Sequence, residues 1–240
     1  MNHSISVNNV FVHVLNNVND SELWRTLMVV NKYLWDASML QRHVLRCDQS
    51  INKACQLGCL DAIQWFHINQ SGGGFTTRAM DTAAENGHLH VVQWLHANRS
   101  EGCTTWAMDG AAMNGHLHVI YWLHTNRSEG CSTWAMDWAS AHGRLNIVQW
   151  LHEHRNEGCT TKAMDWAASC GHLHIIEWLH VNRKEGCTTN AMDSASLHGH
   201  LDVVQWLHAN RTEGCISTAM DLATRRDHLS IIRFLRECTH

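Results

Sequence analysis

Hydrophobic and polar positions repeat along most of this chain with one fixed period. Cys103, Cys131, Cys159, Cys187 and Cys215 stand 28 residues apart, and so do Met80, Met108, Met136, Met164, Met192 and Met220. Two apolar patterns follow one another inside each period. In the unit that opens at Cys159, Ala163, Met164, Ala167 and Ala168 share a narrow face at helical spacing, and Leu173, Ile175, Ile176, Trp178 and Leu179 make a wider one. Gly171 lies between them, where a helix can end cheaply through the left-handed conformation. Thr160 and Thr161 are placed to cap the first helix with their hydroxyls. His180 and Arg183 close the second, where cations oppose the helix dipole. Glu185-Gly186 turns the chain into the next unit, and no strand pattern of useful length is present. Each period therefore predicts two helices.

Full units run over 75–102, 103–130, 131–158, 159–186 and 187–214, with a truncated unit at 215–240. A degenerate first unit covers about 46–74 and carries an extra glycine in Ser71-Gly72-Gly73-Gly74. One unit cannot bury its own apolar faces, so neighbours must bury them for each other. Trp65, Trp94, Trp122, Trp150, Trp178 and Trp206 hold the same place in the second helix, with Phe234 in the last unit. Identical repetition reads them as core scaffold.

The stretch Asn190-Ala191-Met192-Asp193-Ser194-Ala195-Ser196, followed by Gly199-His200-Leu201, resembles the ankyrin repeat, whose first helix opens T-P-L-H-x-A-A and whose helix junction reads G-H. Similar stretches cover about 46–240. The resemblance implies an all-α, ankyrin-like helical solenoid of about six to seven repeats, with the first helices lining a concave groove. Three departures stand out. The ankyrin period is about 33 residues, proline is replaced by alanine, and the family histidine by Asp193 and its equivalents. The missing residues shorten the β-hairpin finger between repeats, so little or no hairpin is expected.

Residues 1–45 do not repeat. Val10, Val14 and Val18 lie four apart, and Asp20 or Ser21 can cap a second helix carrying Leu23, Leu27, Val30 and Leu34. An N-terminal helical cap on the first repeat is expected. Val14-Leu15, Asp20, Leu23, Val29-Val30-Asn31-Lys32 and Trp35 also resemble an F-box, though its usual leucine-proline element is absent. That resemblance implies docking to the adaptor of a cullin-type ubiquitin ligase. At the other end, Thr224, Asp227, Arg225, Arg226, Arg233 and Arg236 give the last unit a polar, solvated face.

Composition narrows the function. The 240 residues are 45% hydrophobic, too apolar for a disordered chain, and hold no proline to build a rigid linker. A formal charge of −4 offers no electrostatic reason to bind nucleic acid. No apolar run reaches the ~18–20 residues of a membrane span, and Met1-Asn2-His3-Ser4 lacks the features of a signal peptide. An intracellular location, cytoplasmic or nuclear, is expected, with the cysteines reduced. Equivalent cysteines in adjacent units would stand about 8–10 Å apart, beyond the ~7 Å that a disulfide spans. The 21 histidines recur at fixed positions and lack the convergent spacing of a zinc site. Those after the glycine are expected to orient the helix junction by hydrogen bonds. Reactive side chains recur in equivalent settings rather than as one asymmetric constellation, so no enzyme, metal or cofactor is expected.

Working positions in a repeat stack are those that vary. Positions four, eight, eleven and twelve of the unit vary most and share a stripe of the first helix. Along it stand Arg78, Trp106, Met113, Trp134, Trp138, His142, Lys162, Trp166, Asn190 and His198. The four tryptophans fall in three adjacent units and none is at a repeated position. Large aromatics at such sites have the composition of interface hot spots. The sequence therefore reads as a scaffold binding a protein partner through its groove. One alternative is a substrate receptor for a ubiquitin ligase; another is a purely structural or self-associating repeat protein.

Overall fold

The computed structural model describes residues 51–69 and 74–239. The expected N-terminal cap over 1–45, its F-box-like reading and the adaptor attached to that reading lie outside the described residues. Helices come in pairs: α1 (Ile51–Leu57) with α2 (Leu60–Asn69), α3 (Thr77–Glu85) with α4 (Leu89–Asn98), α5 (Trp106–Asn114) with α6 (Leu117–Asn126), and α7 (Thr133–Ala141) with α8 (Leu145–His154). Then follow α9 (Lys162–Ser169) with α10 (Leu173–Asn182), α11 (Thr189–His198) with α12 (Leu201–Asn210), and α13 (Ile216–Arg225) with α14 (Leu229–Glu237). There is no strand among the described residues. The fold is an all-α helical solenoid, and among the described residues its units join without a β-hairpin.

First helices pack on first helices, from α1 on α3 through to α11 on α13. Alanine makes this close approach possible: Ala79, Ala83 and Ala84 of α3 and Ala163, Ala167 and Ala168 of α9 are buried, each beside a buried methionine. Second helices supply the larger residues. Val91, Val92 and Leu95, and equally Ile175, Ile176 and Leu179, are buried, each side chain contributing about 1.5–3 kcal/mol. The repeated tryptophans do not lie at this depth. Only Trp150 is buried; the others are half-buried, and Trp65 is 38% exposed. Their rings reach past the aliphatic core to the flank of the stack. There Trp94, Trp122, Trp150, Trp178 and Trp206 each meet the edge of a histidine from the preceding unit, as in His96–Trp122 and His152–Trp178, with centroids 5.2 Å apart in both.

The aspartate that replaces the ankyrin histidine stitches units together. Asp81, Asp109, Asp137 and Asp165 are buried in the first helices. Each accepts two hydrogen bonds from the second residue of the next unit. Asp137 takes the backbone N–H of Thr160 at 2.8 Å and its hydroxyl at 2.7 Å. The same hydroxyl oxygen accepts from the N–H of Lys162 at 3.2 Å, so the expected capping of α9 falls to Thr160, which also bonds backwards, while the Thr161 hydroxyl makes no capping bond. Thr104, Ser132 and Thr188 repeat the arrangement on Asp81, Asp109 and Asp165.

One link is incomplete. Opposite Asp193 the chain carries Ile216 instead of a hydroxyl residue, and Asp193 Oδ1 is buried without a partner. Burial pushes its carboxyl above the ordinary value of 3.8. Replacing Ile216 with threonine is expected to restore the link and add about 1 kcal/mol of stability, the net worth of a satisfied hydrogen bond. Urea melts of the two proteins check this.

Gly171 shows why the helix junction needs glycine. Its φ is +75°, and a Cβ there would lie 2.6 Å from Nδ1 of His200 in the next unit. The last unit has no following unit among the described residues. Its Asp227, at φ +58°, is the one described non-glycine residue in that conformation.

Candidate functional site

Trp106 opens α5, Trp134 and Trp138 stand on α7, and Lys162 and Trp166 on α9. Residues four apart share a helix face, which sets Trp134 against Trp138 in a tilted pair with centroids 4.8 Å apart and planes at 42°. Across the units, Trp106 meets Trp138 edge-on at 5.2 Å, and Trp134 meets Trp166 at 5.7 Å. The four indoles thus form one strip in the spatial order Trp106, Trp138, Trp134, Trp166. Trp106 is 42% exposed and Trp134 38%, while Trp138 and Trp166 are half-buried. Each such aromatic pair contributes about 0.5–1.5 kcal/mol beyond its buried area.

Both ends of the strip carry charge. Nζ of Lys162 lies 4.3 Å above the Trp134 ring and 5.5 Å from that of Trp166, a cation–π arrangement. At the other end, Nε1 of Trp106 donates to Oε2 of Glu85 at 3.1 Å. Gly110 makes room for that carboxylate's stem, since a Cβ at Gly110 would come within 3.0 Å of Glu85 Cβ. Spacing places Glu85 on the variable stripe, but only the packing of α3 on α5 shows what it bonds to.

The other expected residues are less concentrated. His142 is exposed, its Nδ1 bonded to the Trp138 carbonyl at 2.9 Å. Met113 is half-buried on α5. Arg78 on α3 and Asn190 on α11 are exposed and make no cation–π or ring contact with the strip among the described residues. His198 is exposed and stacks with His200 instead, 6.4 Å away.

The repeated histidines hold the flanks. After the glycine, His88, His200 and His228 reach back to carbonyls of the preceding unit at 3.0–3.1 Å, orienting the junction as expected. The rings of His88 and His90 lie 6.0 Å from each other, and His90 also reaches a carbonyl of the preceding unit, that of Gly58. The histidines ending the second helices meet an arginine of the next unit. Nδ1 of His96, His124 and His152 faces the guanidinium of the next unit's Arg127, Arg155 or Arg183 at 3.2–3.4 Å. A guanidinium can only donate, so each Nδ1 accepts. Each arginine also pairs with the glutamate two residues on, Arg127 with Glu129 for example. The hydrogen bond from Arg127 holds the Glu129 carboxyl down to about 2.

These groups set a pH response. Burial foremost, then the charges of His118, His88 and Arg144, keeps His116 below its ordinary value of 6.5. Burial and His174 likewise lower His172, against a hydrogen bond with Ala141 and with smaller pushes from His200 and His142. A lowered histidine stabilises fully above 6.5, and that contribution is lost as pH falls through 6.5 towards the folded value. Glu129 loses its contribution only below 4.5. Burial raises Asp109 and Asp137, so their cost is relieved in acid, near the carboxylate range. The melting temperature is therefore expected to drop between about pH 7 and 5. Calorimetry of the wild type beside a His116→Gln, His172→Gln variant, whose profile should be flatter, checks this.

Burial pushes the thiols of Cys103, Cys131 and Cys159 up to about 12, which makes them inert spacers. Among the described residues no three histidine, cysteine or acidic side chains converge as for a metal ion. None of the described helices is long and apolar enough to cross a membrane.

A family model of ankyrin repeats in many copies matches residues 80–124 and 136–180, and a second of the same description matches 179–223. Together they cover more than half of the chain. The chain belongs to the ankyrin-repeat family. No curated protein matches it. Ankyrin stacks are non-catalytic scaffolds whose units present extended surface for protein–protein contact.

Proposed function

We propose that this ankyrin stack binds a protein partner through the indole strip of α5, α7 and α9, on the face that the family resemblance assigns to the groove. The observation that carries this is the joining of four tryptophans, none at a repeated position, into one partly exposed patch. The stack does not need them for its architecture. The same positions hold Arg78 and Thr82 in α3, and Asn190 and Ser194 in α11, and those helices pack alike. Clustered, accessible tryptophans flanked by a cation are the composition of binding hot spots.

Trp134→Ala is the test, because Trp134 is the more exposed tryptophan of α7. Proteins captured by the wild type should be lost by the variant, with affinity for a captured partner falling by about 2 kcal/mol or more. Circular dichroism should remain that of the wild type. If the variant retains the same partners with the same affinity, the strip is not the docking face. A change in oligomeric state alone would favour self-association.

A further inference from the structure

The strip's charge and hydrogen-bonding capacity specify a partner chemistry. Lys162 carries an ammonium held over two indoles, and no carboxylate pairs with it among the described residues. The nearby Asp137 feels its charge, but that carboxylate is buried and both its oxygens accept from Thr160. The indole N–H groups of Trp134, Trp138 and Trp166 have no hydrogen-bond partner among the described residues, and those of Trp138 and Trp166 are not sealed from solvent. Indole and ammonium groups donate hydrogen bonds and accept none. The patch around Lys162 is therefore apolar, cationic and rich in unused donors. Its opposite end differs, for there Glu85 already satisfies Trp106 and supplies a negative charge.

We infer that the strip takes an acidic, apolar segment of a protein partner, its carboxylate on Lys162 at the α9 end and its apolar side chains on the indoles. Glu85 repels an acidic group at the α5 end, so the two charges also fix the direction in which the segment lies. Cation–π contact holds Lys162 in place, so a carboxylate meets a positioned donor rather than a freely moving side chain. Charge complementarity of this kind selects partners and speeds encounter. The inference rests on the strip being the docking face, and the test separates the two.

Short random peptides displayed on phage are selected on the full chain. Those recovered are then titrated by tryptophan fluorescence against wild type, Trp134→Ala, Lys162→Gln and Lys162→Glu. Lys162 is the first residue of α9, where glutamate suits the helix dipole, and the glutamine variant controls for any change in folding. Peptides that depend on Trp134 are expected to be enriched in Asp or Glu beside apolar residues. They should weaken with Lys162→Gln and lose about tenfold or more with Lys162→Glu. Exchanging the peptide's acid for lysine should restore binding to Lys162→Glu. Trp134-dependent peptides with no acidic enrichment, or with affinity indifferent to Lys162→Glu, would overturn the inference while leaving the docking face standing. If no recovered peptide depends on Trp134, both fall.

Discussion

Replacing Trp150 with alanine is expected to cost about 3–5 kcal/mol of folding stability, the range for deleting a buried aromatic. Trp150 is 8% exposed, the most buried of the repeated tryptophans. His154 stacks on it at 4.6 Å with planes 6° apart, His124 meets it edge-on at 5.2 Å, and Tyr121 lies 6.0 Å away. The other units that carry the tryptophan have asparagine at the place of His154, so their rings lack that stacked cover. Trp178→Ala, at a half-buried ring against His152, should cost less. Trp138→Ala tests the strip from the side of stability. Trp138 touches both Trp106 and Trp134, so its loss should cost roughly 1–3 kcal/mol, two aromatic pairs. It is not free of structural cost, because the strip's rings pack on one another before any partner arrives. Urea melts should rank the loss at Trp150 first, with Trp138 and Trp178 after. Equal losses at Trp150 and Trp138 would make the strip core and remove its claim to be a docking face.

The period made the fold legible. Once Met80 to Met220 are seen at one spacing, paired helices and stacking follow from amphipathicity and from glycine at each junction. Hydroxyl capping was legible too, because Thr160 bonds to the N–H of Lys162 only two residues on. Depth was not. Repetition marks Trp94 and Trp122 as structural, yet cannot show that an indole of that size overshoots the aliphatic core. Links between units were hidden for a similar reason. Asp137 and Thr160 are 23 residues apart in sequence and meet only across the stack. The partner of His152 was hidden in the same way, since Arg183 stands 31 residues on and meets it only across the stack. In the strip, spacing placed the tryptophans on one stripe. Their zigzag order and the seat of Lys162 over Trp134 depend on side-chain rotamers that no spacing encodes.

Asp137→Ala is expected to cost about 2–4 kcal/mol, more than its burial alone would suggest. The carboxylate's own position is costly, and burial pushes its pKa up. Removing it relieves that cost but strands the N–H of Thr160 and leaves its hydroxyl without an acceptor. Hydrogen bonds to a charged group contribute about 1.5–3 kcal/mol each, so the loss of two outweighs the relief. Place in the stack adds to the effect. Stability in a solenoid is close to a sum of unit and neighbour terms, and Asp137 joins α7 to α9 near the middle of the described units. Weakening that interface should let the two sides melt separately and broaden the urea transition. Asp193→Ala provides the internal control. Its link already lacks a hydroxyl, and its buried Oδ1 has no partner. That substitution should change stability by less than about 0.5 kcal/mol or raise it. If the two variants melt alike, the aspartate links contribute nothing to cohesion, and the stack is held by its aliphatic and aromatic contacts alone.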